Sequence, residues 1–154
     1  MRNMQPKIRV LFICTANAAR SQMAEGFLNA RYGDRYEASS AGIRHSTISP
    51  HAVAVMKEIG IDLSHQYSKV IGDFPGTMFD VAVTLCSHAK ETCPVIHCAR
   101  QIFHHDFPDP YHPADNDAQA LDGFRAVRDE ISLWIDECFG RPSLSGKLEM
   151  LQDR

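Results

Sequence analysis

The sequence predicts an α/β fold, a single domain built on a four-stranded parallel sheet with helices on both faces. Three observations predict it. Short apolar, β-branched runs alternate along the chain with stretches of helical periodicity, the pattern of a covered parallel sheet. The length of 154 residues suits one hydrophobic core. With 44% hydrophobic and 23% charged residues, the composition is that of an ordinary globular chain.

The elements follow in order. Ile8 to Cys14 (Ile-Arg-Val-Leu-Phe-Ile-Cys) is almost continuously apolar, as a strand buried on both faces must be. Gln22 to Tyr32 places Met23, Phe27 and Ala30 on one helical face, with Ala24 and Leu28 beside them. Glu37 to Ala41 is a short second strand closed by Gly42. Ser49-Pro50 reads as a helix start, with serine as N-cap and proline at the first helical position. Val53, Met56 and Ile59 with Val55 carry that helix on, and Gly60 stops it. Asp80 to Cys86 is a third strand and Arg100 to His104 a fourth. Leu121, Phe124, Val127, Ile131, Trp134, Ile135 and Cys138 trace a long amphipathic helix. After Gly140 the pattern fades. Residues 1–140 therefore form the expected domain and 141–154 a C-terminal tail, with Leu148 and Leu151 spaced for a short docking helix.

Several classes are excluded. No apolar run approaches the roughly 18 residues of a membrane span, and Ile8 to Ile13 is too short for a signal-peptide core. The expected address is the cytoplasm. A net charge of −3 gives no general basis for nucleic-acid binding, so an anionic substrate must be captured locally. Five cysteines, an odd number in a chain too long to need staples, argue against a secreted disulfide framework.

Cys14-Thr15-Ala16-Asn17-Ala18-Ala19-Arg20-Ser21 lies between the first strand and the first helix. A loop there aims several backbone N–H groups at one point, and the helix dipole favours negative charge. That field favours the thiolate of Cys14, which makes it a candidate nucleophile. The amides of Thr15, Ala16, Asn17, Ala18 and Ala19 are candidate oxyanion donors, and the Arg20 fork suits a tetrahedral oxyanion. Ser21 can donate its hydroxyl proton to the sulfur.

Cys86 ends the third strand, and Cys93 follows in Cys86-Ser-His-Ala-Lys-Glu-Thr-Cys93-Pro94. Strand ends of such a sheet converge on one crevice, so Cys14 and Cys86 are placed to approach. If residues 87–93 are helical, seven steps of about 1.5 Å separate the two Cα atoms by roughly 10 Å. A disulfide tolerates about 7 Å, so a Cys86–Cys93 bond requires the segment to unwind. Two other readings stay open: plain interior cysteines, and a metal site from Cys86, Cys93, Cys98 and His97, whose spacings lack the tight Cys-x2-Cys knuckle of structural zinc.

Phe107-Pro108-Asp109-Pro110-Tyr111 is a rigid turn presenting one carboxylate, Asp109, a candidate general acid for a departing oxygen. The histidines at 97, 104, 105 and 112 read as solvated loop residues, and Cys138 as core.

The loop from Cys14 to Ser21, the run Ser21-Gln22-Met23-Ala24-Glu25-Gly26, Ser40-Ala41-Gly42-Ile43 and Gly60-Ile61-Asp62 together resemble the low-molecular-weight protein-tyrosine-phosphatase superfamily. Within it the chain is most similar to the thioredoxin-coupled arsenate reductases, from about Ile8 to Phe139. The resemblance implies reduction of arsenate to arsenite through a Cys14 thiol–arsenate adduct, a disulfide passed among Cys14, Cys86 and Cys93, Asp109 as acid, and thioredoxin as reductant, with no cofactor. Members usually carry Gly where this chain has Ala16 and often Ser where it has Ala18. Ala16 is expected to crowd a backbone needing glycine's freedom, and Ala18 forfeits a hydroxyl. Tyr111 is closer to the phosphatases, so phosphoester hydrolysis with Cys14, Arg20 and Asp109 alone is the alternative; a non-enzymatic oxyanion or redox sensor is a third. Some of these reductases hold potassium with Asn, Glu, Ser and Asp. Asn17, Glu25 and Ser40 match the first three, but Lys69 stands at the fourth position, and its ammonium disfavours a cation. No metal site is expected.

Overall fold

The structure, a computed structural model, describes residues 6–74, 77–87 and 99–140. Four parallel strands form one sheet in the order β2-β1-β3-β4. β1 (Ile8–Cys14) lies between β2 (Tyr36–Gly42) and β3 (Phe79–Thr84), with β4 (Ala99–His104) on the edge beyond β3. In the register Cys14 pairs with Gly42 and Ile13 with Thr84. The C-terminal ends of β2, β1 and β3 therefore reach the same level, and the site is built there.

Strand periodicity divides the sheet residues between two layers. Val10, Phe12, Val81 and Val83 join a core with α1 (Arg20–Tyr32), α2 (Pro50–Lys57) and α3 (Asp117–Phe139). Leu11, Ile13 and Ala82 face the other way and pack with Ile71 and Phe74 at the 3₁₀ turn Ile71–Asp73. Among the described residues the α-helices thus gather on one face, and the second face carries the 3₁₀ turn. Apolar packing on both sides is why the β1 sequence is a continuous hydrophobic run. The fully buried Phe12 meets Trp134 and Phe139 edge-on, each at 6.0 Å between ring centroids. Burying such a ring contributes about 2–3 kcal/mol.

Local signals account for most boundaries. α1 begins at Arg20 rather than Gln22. Ser49 precedes α2 in extended conformation, but its side chain makes no capping bond; its N–H instead donates to the Ala18 carbonyl at 2.9 Å. Ile59, expected on the buried face of α2, lies past the helix end and is exposed, because Gly60 at φ 83° turns the chain there. α3 extends back to Asp117 on a reciprocal cap, in which the Gln119 N–H donates to the Asn116 side chain and the Asn116 N–H to Gln119 Oε1. The β3 ladder stops at Thr84, short of the expected Cys86, although the Leu85 N–H still donates to Ile13 O at 2.8 Å.

α3 is clamped to α2 by arginines. Arg128, buried, donates to Val55 O at 2.9 Å and to Glu58 Oε1 at 2.8 Å. Hydrogen bonds from Arg125, then those from Arg128, hold the Glu58 carboxyl down to about 2. No helix of the described residues is long and apolar enough to cross a membrane. The tail 141–154, Cys93, His97 and Cys98 lie outside the described residues.

Candidate active site

Cys14 is the last residue of β1, and the loop from Thr15 to Ala19 delivers the chain into α1. The N-cap position of α1 is Ala19, which offers no capping side chain. The N–H groups of the first helical turn therefore meet no competing acceptor from their own cap. Cys14, Thr15, Ala16, Ala18, Ala19 and Arg20 line a cavity of about 240 Å³, whose outer wall is formed by Arg44, Ser49, Asp109, Tyr111 and Phe124.

Behind the loop, a buried polar network fixes its shape. Asn17 is fully buried and is the one non-glycine residue with positive φ (54°) among the described residues. Ala16 is not in that region, so the crowding expected from its methyl group does not arise; the left-handed position falls on Asn17, a residue type that tolerates it. The Lys69 N–H donates to Asn17 Oδ1 at 2.8 Å. Since that oxygen is the acceptor, the Asn17 amide nitrogen must face Ser21, and it donates to Ser21 Oγ at 2.8 Å. Ser21 Oγ thus has its acceptor side occupied and its single proton left for Cys14 Sγ, 2.9 Å away. Gln22 completes the network by donating to Asn17 Oδ1 and Tyr67 O. Neither Asn17 nor Ser21 lines the cavity. The Asn17 side chain is turned away from the cavity and holds the loop from behind; the expectation for Asn17 concerned its backbone amide.

β2 moulds the same loop from the side. A Cβ at Gly42 would stand 2.8 Å from both Ala16 C and Asn17 N, closer than packed atoms allow. Gly42→Ala must displace the loop backbone, and displacement on an ångström scale costs about a hundredfold in rate. Steady-state kinetics should show that loss in kcat/KM, while circular dichroism keeps the wild-type signature.

Arg20 is largely buried, with its Nη1 donating to Phe107 O at 3.1 Å and its Nη2 4.0 Å from Asp109 Oδ2. The segment carrying Asp109 therefore holds the guanidinium in place. Asp109 itself is exposed and accepts the Tyr111 N–H at 3.0 Å, which stiffens the turn. Its neighbour Asp106 binds the N–H of Ser87 at 3.1 Å and the Ser87 hydroxyl at 3.3 Å, tying the residue after Cys86 to the same turn. The buried sulfur of Cys86 hydrogen-bonds with Thr15 Oγ1 at 3.3 Å, and Cys14 and Cys86 belong to one apolar cluster. A second sulfur therefore touches the loop of the first.

Other expectations resolve as follows. Lys69 is buried with its Nζ 3.7 Å from Glu25 Oε1, whose carboxylate also accepts the Ser40 hydroxyl at 2.6 Å. The ammonium thus stands beside the oxygens that the resemblance assigned to a cation. His104 and His105 are not solvated loop residues: His104 ends β4 and hydrogen-bonds Thr84 Oγ1 at 2.8 Å, and His105 stacks on Trp134. Cys138 is buried in the core of α3. Arg44, Ser49 and Phe124 are cavity residues that the sequence reading did not single out. Arg44 was findable, because it follows the end of β2 and strand ends converge on the crevice.

A cysteine at a strand end, an arginine closing its loop and an aspartate on the facing turn define a class of parallel α/β proteins with an anion cradle at the sheet's C-terminal edge. The chain belongs to the low molecular weight phosphotyrosine protein phosphatase family, which it matches over residues 9–139. It is 43% identical over 122 residues to an arsenate reductase of Halalkalibacterium halodurans, covering 79% of this chain and 88% of that protein. It is 41% identical over 136 residues to an arsenate reductase of Bacillus subtilis, covering 87% and 96%. Among solved structures it is similar to an arsenate reductase in the phosphate binding state, with a TM-score of 0.70, 32% identity and 88% and 99% of the two chains covered. A low molecular weight protein tyrosine phosphatase from T. tengcongensis gives 0.65 and 29%, covering 94% and 99%.

Proposed function

We propose that the protein is a cytoplasmic arsenate reductase that draws its two electrons from its own cysteines. The observation that carries this reading is the contact between Cys86 Sγ and Thr15 Oγ1 at 3.3 Å. Phosphoester hydrolysis has no use for a sulfur there, whereas a reduction needs a second thiol beside the nucleophile. The named relatives support the same substrate.

In the proposed cycle the loop amides and Arg20 bind arsenate, and the Cys14 thiolate, accepting the Ser21 proton in a hydrogen bond, attacks arsenic. One arsenic–oxygen bond breaks, Asp109 protonates the departing oxygen, and a thiol–arsenate adduct remains. Cys86, as thiolate, then attacks Cys14 Sγ. The sulfur–arsenic electron pair passes to arsenic, which leaves as arsenite, and a Cys14–Cys86 disulfide forms. Cys93 attacks Cys86, releases the Cys14 thiolate and carries the disulfide into its own segment. A thioredoxin dithiol reduces it and is itself oxidised.

The phosphatase reading keeps one specific support, Tyr111 on the outer cavity wall beside Phe124, where an aromatic ester would lie. The deciding experiment is an arsenate assay coupled through thioredoxin and its reductase to NADPH. Arsenate-dependent oxidation of one NADPH per arsenite formed is expected. Hydrolysis of p-nitrophenyl phosphate without any arsenate-dependent oxidation would overturn the reductase in favour of the phosphatase.

A further inference from the structure

Arg44 differs from every other arginine among the described residues. The others set their guanidinium against a carboxylate or a main-chain carbonyl. The Arg44 side chain makes no hydrogen bond or ion pair among the described residues, and it stands on the wall of the cavity that holds Cys14 and Arg20. Its backbone is anchored: the N–H groups of Ile43 and Arg44 both donate to the carbonyl of Thr15, at 2.8 and 3.2 Å. The charge is thus fixed at its base to the loop itself, while its head is exposed and uncommitted. Two guanidiniums and one carboxylate, Asp109, then face one opening in a chain of net charge −3, a local reversal of sign that concentrates anions.

The cavity is also larger than one oxyanion. Four oxygens, each about the size of a water molecule, fill only about half of its volume. The remaining space is bounded by Arg44, Ser49, Asp109, Tyr111 and Phe124, and the Asp109 carboxylate is set towards Arg20, 4.0 Å from its Nη2, leaving Arg44 without an ion pair among the described residues. We propose that this outer half is a second anion subsite with Arg44 as its anchor. Its ligands are tetrahedral oxyanions that carry a further anionic group, either a second phosphoryl group or a carboxylate. The inner oxyanion sits in the Cys14 loop, and the second group meets the Arg44 fork. This rests on the Cys14 loop being an oxyanion cradle, and on nothing in the later redox steps.

The test is protection of Cys14 from iodoacetamide, followed by peptide mass mapping at matched ionic strength. Inorganic phosphate, pyrophosphate and phosphonoacetate are the probes. Pyrophosphate, phosphonoacetate or both should half-protect at about a tenfold lower concentration than phosphate, the worth of one charge-assisted contact. Which of the two gains identifies the outer group. Arg44→Ala should abolish that advantage while leaving protection by phosphate within about twofold, and Arg44→Lys should restore part of it. Failure of all three anions to protect Cys14 overturns the cradle and this inference with it. Protection by phosphate with no advantage for either larger anion, or an advantage that survives Arg44→Ala, overturns the outer subsite alone.

Discussion

Replacing Cys86 by Ser is expected to stop steady-state arsenate reduction, by about a thousandfold or more, while leaving the first chemical step intact. Residues that act as a unit fail as a unit, and in the proposed cycle no other described thiol touches the Cys14 loop. The exchange is conservative in shape. The Cys86 side chain is buried, its hydrogen bond is to a hydroxyl, and a serine oxygen can keep that bond. Loss of fold is therefore not the expected cause of inactivity. Quenched-flow mass spectrometry should find no Cys14–Cys86 disulfide in Cys86→Ser. In Cys93→Ser that disulfide should accumulate, with one arsenite released per chain and no further turnover. If both variants still reduce arsenate repeatedly with thioredoxin, the three-cysteine relay is wrong.

Replacing Lys69 by Met is expected to cost about 3 kcal/mol of stability at pH 8 and clearly less at pH 5. The Glu25 carboxyl lies above its ordinary value of 4.5, chiefly through burial, opposed by the Ser40 hydrogen bond and the Lys69 charge. A raised carboxyl means that the folded state holds its proton more tightly than the unfolded chain. The folded state then binds more protons just above pH 4.5, and stability falls as pH rises through that window. Removing the ammonium raises the carboxyl further and extends the window upward, so the gap between wild type and variant widens with pH. Urea unfolding at the two pH values measures it, and an equal gap at both would exclude the buried pair as its source. Glu25→Gln added to Lys69→Met should recover much of the loss, because the uncompensated charge is then gone.

Sequence and structure agree most closely where local chemistry decides the outcome. The continuous apolar run of Ile8 to Cys14 marks a central strand, and the spacing from Cys14 to Arg20 at a strand–helix junction marks the loop. The mechanics behind the loop were not legible. Lys69, Asn17 and Ser21 lie on three different elements, and only the folded chain shows that one backbone N–H orients the asparagine that frees a serine proton for sulfur. Periodicity also misplaced Ile59, because an apolar residue at helical spacing does not reveal that the helix has already ended. Two of the four histidines read as solvated, His104 and His105, were misjudged for a similar reason, while His112 is exposed as expected. Local composition around residues 104–112 resembles a loop, yet Thr84 and Trp134, remote in sequence, give two of them a packed setting.

The close fit of Gly42 against Ala16 and Asn17 bears on how the protein folds. The loop is held from two sides, by the buried network of Asn17, Ser21 and Gln22 behind it and by the end of β2 beside it, against which its backbone rests directly. On the proposed function, pairing of β1 with β2 in register is therefore expected to precede affinity for oxyanions, and a partly unfolded form that has released β2 is expected to bind none. A ligand stabilises only the conformations that bind it, and inorganic phosphate is the expected ligand of the loop. Its presence during unfolding is accordingly expected to suppress the openings that take the loop apart, separation of β1 from β2 among them, and to leave openings elsewhere in the sheet unchanged.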